Sequence, residues 1–141
     1  MKTILLTAGG RAGTDFFHSL IDGHPEILQF PGNLRVDERF KVIFDEISLK
    51  DKAELFTALY PEFFNSRVNK EERWDKLGER KNKSFKISKF EFKKNFLKVS
   101  KKKKVLSNYE ILKNLHIAYF LTRKKNVKKC KILFIHTHLL S

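Results

Sequence analysis

The stretch Thr3-Ile4-Leu5-Leu6-Thr7-Ala8-Gly9-Gly10-Arg11-Ala12-Gly13-Thr14-Asp15-Phe16-Phe17-His18-Ser19-Leu20 passes from an apolar run through a glycine-rich turn into an amphipathic segment. That order commits the chain to begin as strand, tight turn and helix, which is the opening unit of an α/β fold. Ile4, Leu5 and Leu6 read as a strand buried on both faces of a parallel sheet. Phe16, Phe17, Leu20 and Ile21 recur at helical spacing, and Gly23 and Pro25 stop the helix.

The turn between the two elements suits an anion. Gly9, Gly10 and Gly13 let main-chain N–H groups approach a ligand closely. The open N–H groups of a helix's first turn carry roughly half a positive charge. Arg11 adds a full charge on a planar fork of donors, and Thr14 adds a hydroxyl at the helix start. Gly10, Arg11, Ala12, Gly13, Thr14, Asp15 and Phe16 therefore delimit a candidate anion-binding segment. The spacing excludes the nucleotide-triphosphate loop, because no lysine stands between Gly13 and Thr14, and it excludes the dinucleotide fingerprint. An ordinary strand–helix turn that happens to contain glycines is the plainer alternative.

Gly10 to Pro25 resembles the 5′-phosphosulfate loop of sulfotransferases that use 3′-phosphoadenosine 5′-phosphosulfate. The family version runs Lys or Arg, a small residue, Gly, Thr, usually a second Thr, then an aromatic or aliphatic residue. His24-Pro25 matches a His-Pro pair found downstream in many members, and Glu26 to Gly32 is similar to the family's second strand. Near the other end, Ile132-Leu133-Phe134-Ile135-His136-Thr137-His138-Leu139 resembles the strand that carries a Lys-Thr-His-Leu motif in cytosolic members. The resemblance implies that His138 is the catalytic base, that His136 occupies the lysine position, and that Arg11 stabilises the leaving phosphate. It implies 3′-phosphoadenosine 5′-phosphosulfate as sulfate donor, a hydroxyl or amine acceptor of unknown identity, and no metal. Three departures stand out. Asp15 replaces a threonine, His136 replaces a lysine, and the family's arginine and serine for the 3′-phosphate have no counterpart after His138. The expected fold is α/β, a P-loop-type parallel sheet flanked by helices, with residues 1–141 as a single, incomplete sulfotransferase-like domain.

Size and composition narrow the choice further. A chain of 141 residues is one domain at most. A single cysteine, Cys130, excludes an internal disulfide and fits a reducing, cytoplasmic setting. No run of about twenty apolar residues is present to span a membrane. The net charge of +14 favours an anionic partner. A basic nucleic-acid-binding module is one alternative function, although the lysines are scattered among Asn, Ile and Phe. A second is a non-catalytic remnant that keeps the anion loop and has lost the chemistry. Alternation in a strand puts His136 and His138 on one face, so a His-x-His metal pair is also conceivable, but no third ligand stands out. His18, on the first helix, and His24, in a turn, read as non-catalytic.

Between the two motif regions the pattern is mainly helical. A strand is expected over 27–30, followed by a Pro31-Gly32-Asn33 turn. Phe40, Ile43, Phe44 and Ile47 mark a helix over 37–47, and a second, with Ser48 and Asp51 to cap it, carries Leu55, Phe56 and Leu59. A short polar helix is expected over 71–77 with Trp74, then an exposed charged stretch over 78–84. Helices over 88–99 and 107–122 follow, the latter with Ser107 and Glu110 as a capping box. Lys101 to Lys104 read as a solvated loop, the middle aromatics as core, and 131–136 as the last strand.

Overall fold

Three extended segments pair in one parallel sheet, and helices fill the intervals between them. The computed structural model describes residues 1–8, 13–36, 39–69, 77 and 79–138. Along the chain lie β1 (Lys2–Ala8), α1 (Thr14–Ile21), β2 (Ile27–Leu28), α2 (Arg39–Asp45), α3 (Leu49–Leu59), α4 (Lys89–Ser100), α5 (Asn108–Thr122) and β3 (Ile132–His138). In space the strand order is β1-β3-β2, with β3 parallel to both neighbours. The register runs from Lys2 opposite Ile132 to Ala8 opposite His138. Parallel strands require long crossovers, and the helices supply them. The described residues thus form an α/β fold with a three-stranded all-parallel sheet flanked by five helices.

The central position falls to β3. Leu133, Phe134, Ile135, His136 and Thr137 are all buried. Leu133 and Ile135 join the main core. Phe134 belongs to the opposite face, where the rings of Phe17 and His18 meet it at 6.3 and 5.3 Å. β1 departs from the expectation of burial on both faces, because it is an edge strand of the described sheet. Ile4 and Leu5 remain 46% and 59% exposed. The expected strand over 27–30 is also shorter. Pairing covers Ile27 and Leu28 alone, and the next two residues bond elsewhere. Gln29 Nε2 donates to the Ile21 carbonyl, and the Phe30 carbonyl accepts from His18.

α1 forms where expected, between Gly13 and the positive-φ residue Gly23. Its apolar positions do not enter the core: Phe16, Phe17 and Leu20 are exposed, and His18 is its buried residue. α2 ends at Asp45, so Ile47 lies beyond it and is fully exposed. Ser48, Ser88 and Ser107 cap α3, α4 and α5 through the amide three residues on, and Ser107 and Glu110 complete the capping box. Lys101 to Lys104 are exposed between α4 and α5, as expected. Of the helix expected over 71–77, all but Leu77 lies outside the described residues, Trp74 included.

The core is aromatic. Phe30 stacks on Phe63 and Phe56 on Phe92, each at 5.3 Å, and Tyr60, Phe64 and Tyr119 continue the cluster in tilted and edge-on pairs. The buried hydroxyls of Tyr60 and Tyr119 donate to the carbonyls of Leu34 and Phe63. Lys52 is a buried cation whose Nζ donates to the carbonyls of Ile43, Phe44 and Glu46 at the end of α2. There the charge meets the negative end of the helix dipole.

His116 of α5 lies inside this core, with its Nδ1–H donating to the Leu112 carbonyl at 2.7 Å. Burial holds its pKa down at about 4, against an ordinary value of 6.5. Between those values the unfolded chain binds a proton that the folded chain refuses. Stability should therefore fall as pH drops from 6.5 toward 4, by up to about 1.4 kcal/mol per pH unit. Urea unfolding of wild type and His116→Leu at pH 7, 6 and 5 checks this: the variant should lose one proton's worth of slope, and parallel curves would contradict it.

Candidate functional site

The two regions singled out in the sequence meet at the carboxyl end of the parallel strands, where β1 feeds α1 and β3 ends. Open α/β sheets place their ligand sites at this edge. Gly13 opens α1 in a left-handed conformation, φ +74°, which glycine adopts without strain. It gives the helix no side-chain cap. Thr14 follows, and its Oγ1 lies 3.1 Å from His138 Nε2, a contact between residues 124 apart in sequence.

Strand alternation puts His136 and His138 on the face of β3 turned toward α1, with ring centroids 4.9 Å apart. His136 is buried and His138 half-buried. His136 Nδ1 lies 2.9 Å from His18 Nδ1, and His18 Nε2 lies 2.8 Å from the Phe30 carbonyl oxygen. Asp15, one residue past Thr14, brings Oδ1 to 3.8 Å from His136 Nε2 and 4.0 Å from His138 Nε2. Burial lowers the pKa of His18, opposed by its bond to Phe30 and by Asp22 and Asp15. Burial also lowers His136, to about 4, assisted by His18 and His138 and opposed by Asp15. At neutral pH both imidazoles are uncharged.

A clamp fixes the end of β3. Asn33 Oδ1 accepts the backbone N–H groups of His138 (3.1 Å) and Arg35 (3.0 Å). The Leu34 amide donates to the His136 carbonyl, and the Val36 amide donates to Thr137 Oγ1. Beside the clamp opens a cleft of about 620 Å³. Asp15, His18 and His138 border it, together with Arg35, Arg39 and Glu62. Arg39 is engaged within the protein, donating to the Leu59 carbonyl and pairing with Glu62 at 3.6 Å.

Of the residues nominated from sequence, Gly13, Thr14, Asp15, His136 and His138 come together here. Phe16 is 70% exposed. Gly10, Arg11 and Ala12 lie outside the described residues. Sequence reading missed two participants. His18 read as an incidental helix residue, yet it shares a helix face with Asp15, three positions earlier, and that spacing was the available signal. Asn33 read only as part of a turn. No family model, curated protein or solved structure matches the chain.

The clamp is directly testable. Asn33→Ala should speed amide hydrogen exchange at His138 and Arg35 at least tenfold, with little change at Leu133, and lower stability by about 1 kcal/mol. Exchange followed by NMR decides it, since unchanged protection at His138 would show that Asn33 is not the restraint.

Proposed function

We propose that the chain transfers a sulfuryl group from 3′-phosphoadenosine 5′-phosphosulfate to a hydroxyl or amine acceptor, on a P-loop-type α/β fold of the sulfotransferase kind. The observation that carries this reading is the contact between Thr14 and His138, 3.1 Å apart. Each belongs to one of the two segments that resemble the family's motifs. No membrane-spanning helix, long and apolar enough, occurs among the described residues, and the reading needs none.

Sulfuryl transfer places delocalised negative charge between an attacking and a leaving oxygen held in line. Catalysis is then chiefly positioning and electrostatics. In this scheme the donor's 5′-phosphosulfate lies against the first-turn amides of α1, with Thr14 and Arg11 as side-chain donors. Arg11 steadies the charge that grows on the leaving phosphate. As the acceptor oxygen or nitrogen bonds to sulfur and the sulfur–phosphate oxygen bond breaks, His138 Nε2 takes the acceptor's proton. The cleft beside His138 receives the acceptor, and Arg35 gives its wall a positive group.

A second reading keeps anion binding at the first turn of α1 and drops the transfer; Asp15 favours it only by standing at His138, where the sulfuryl group would have to pass. Its carboxylate lies within 4.0 Å of both histidines and resists a second negative group.

Titration calorimetry with adenosine 3′,5′-bisphosphate tests the loop: Arg11→Ala should weaken binding at least tenfold, and equal affinity in both proteins would remove the loop from the scheme. His138→Ala should lower sulfuryl transfer by about a hundred- to ten-thousand-fold while leaving bisphosphate affinity in place. Undiminished turnover in that variant would end the role of His138 as base. Bisphosphate binding without transfer to any acceptor in a broad panel would favour the second reading.

A further inference from the structure

The sequence offers His136 and His138 as a His-x-His pair, and the fold adds a third donor. Asp15, His136 and His138 each bring one ligand atom within 4.8 Å of the other two, and Asp15 Oδ1 lies 3.8 and 4.0 Å from His136 Nε2 and His138 Nε2. The hydrogen bonds around His18 settle where the electron pairs point. A carbonyl oxygen only accepts, so the His18 Nε2 facing Phe30 carries the hydrogen. The neutral ring's other nitrogen, Nδ1, is then bare, and the proton in the 2.9 Å contact belongs to His136 Nδ1. The neutral His136 ring is left with a bare Nε2. That atom is shut off from water and has no hydrogen-bond partner among the described residues. It faces a carboxylate oxygen at 3.8 Å. Two electron-pair donors turned toward each other across this gap repel, and a cation between them reverses the sign of the interaction.

We propose that Asp15, His136 and His138 form a binding site for a divalent transition-metal ion, Zn²⁺ being the ion these donors suit. Two imidazoles and one carboxylate with a position left open are a recurrent zinc donor set, and nitrogen donors disfavour Mg²⁺ and Ca²⁺. Ligand atoms about 2.0–2.1 Å from a tetrahedral ion lie roughly 3.4 Å apart. The contacts of 3.8 and 4.0 Å are slightly wider than that. Asp15, with its side chain 74% exposed, is free to rotate and close them. His138 exchanges its Thr14 contact for the ion. His18 serves as a positioning residue, since it holds the His136 proton on Nδ1 and is itself anchored on Phe30, an outer-shell arrangement common at histidine-bound metals. Asp15 and His138 border the cleft, so the open position faces it.

This inference goes beyond the proposed transfer, since it needs three side chains and nothing of the Gly10–Gly13 loop. The two uses of His138 exclude each other: an ion on Nε2 occupies the electron pair that would accept a proton. Zn²⁺ should therefore suppress any sulfuryl transfer, and a chelator should restore it.

The site is tested by titrating the purified chain with CoCl₂, followed by visible absorption, and then displacing Co²⁺ with ZnCl₂. The expected result is one equivalent bound, a visible band that Zn²⁺ abolishes, and at least tenfold weaker binding in both Asp15→Asn and His138→Gln. Circular dichroism confirms folding of each variant. Asp15 is exposed, so its substitution keeps the test valid if His138→Gln misfolds. His24→Ala and Cys130→Ser should bind as wild type. No stoichiometric binding, or binding that survives Asp15→Asn and disappears with His24→Ala or Cys130→Ser, overturns the site. Neither outcome touches the bisphosphate affinity of Arg11→Ala, so failure of the metal site and failure of the transfer reading are told apart.

Discussion

The site depends on β3 lying between two parallel neighbours and being buried along nearly its whole length. A strand so placed satisfies its backbone on both edges and gives up both side-chain faces to the interior. One face, through Leu133 and Ile135, ties it to the aromatic core of α3, α4 and α5. The other carries Phe134, His136 and His138 toward α1. Because β1 pairs with β3 in register to its last residue, the start of α1 is delivered beside His138. Removing β3 from the centre would take from Thr14, Asp15 and His18 their contacts with His136 and His138.

That arrangement explains why α1 faces the way it does. A helix beside a sheet ordinarily turns its apolar stripe inward. α1 turns in His18, whose two ring nitrogens are both engaged, and leaves Phe16, Phe17 and Leu20 outside. Ile4 and Leu5 of β1 are exposed as well. A hydrogen-bonded imidazole pair at the centre of the α1–sheet contact outweighs local hydrophobic pattern here, because an unpaired buried imidazole is more costly than an exposed phenylalanine.

Sequence pattern made the helices legible in proportion to their local signals. Ser48 and Ser107 cap where their spacing from the following apolar residues indicated, because a cap is satisfied within one turn of chain, and Ser88 caps α4 where the sequence made it the first helical residue. Strand burial was not legible in the same way. Ile4, Leu5 and Leu6 carry the apolar run of a central strand, but edge or centre is decided by a partner 130 residues away. The meeting of Thr14 with His138 follows from two nominated segments, whereas the Asp15 and His18 contacts depend on how α1 is rotated about its axis. Periodicity marked the hydrophobic side of α1, and so it concealed the side that turns Asp15 and His18 toward β3.

Asp15 sets the electrical character of the corner. Burial disfavours the charged form of His18 and His136, and the formal negative charge beside them is the exposed Asp15 carboxylate next to the helix N-terminus. The positive end of the helix dipole favours an anion at this end of α1, and the Asp15 carboxylate opposes it. A divalent ion on the three donors reverses the balance, leaving one formal positive charge where the negative one stood. The same corner then attracts an anion more strongly and loses His138 as a proton acceptor. On the proposed readings, anion binding gains from an ion between Asp15 and His136, whereas proton acceptance by His138 needs that gap empty.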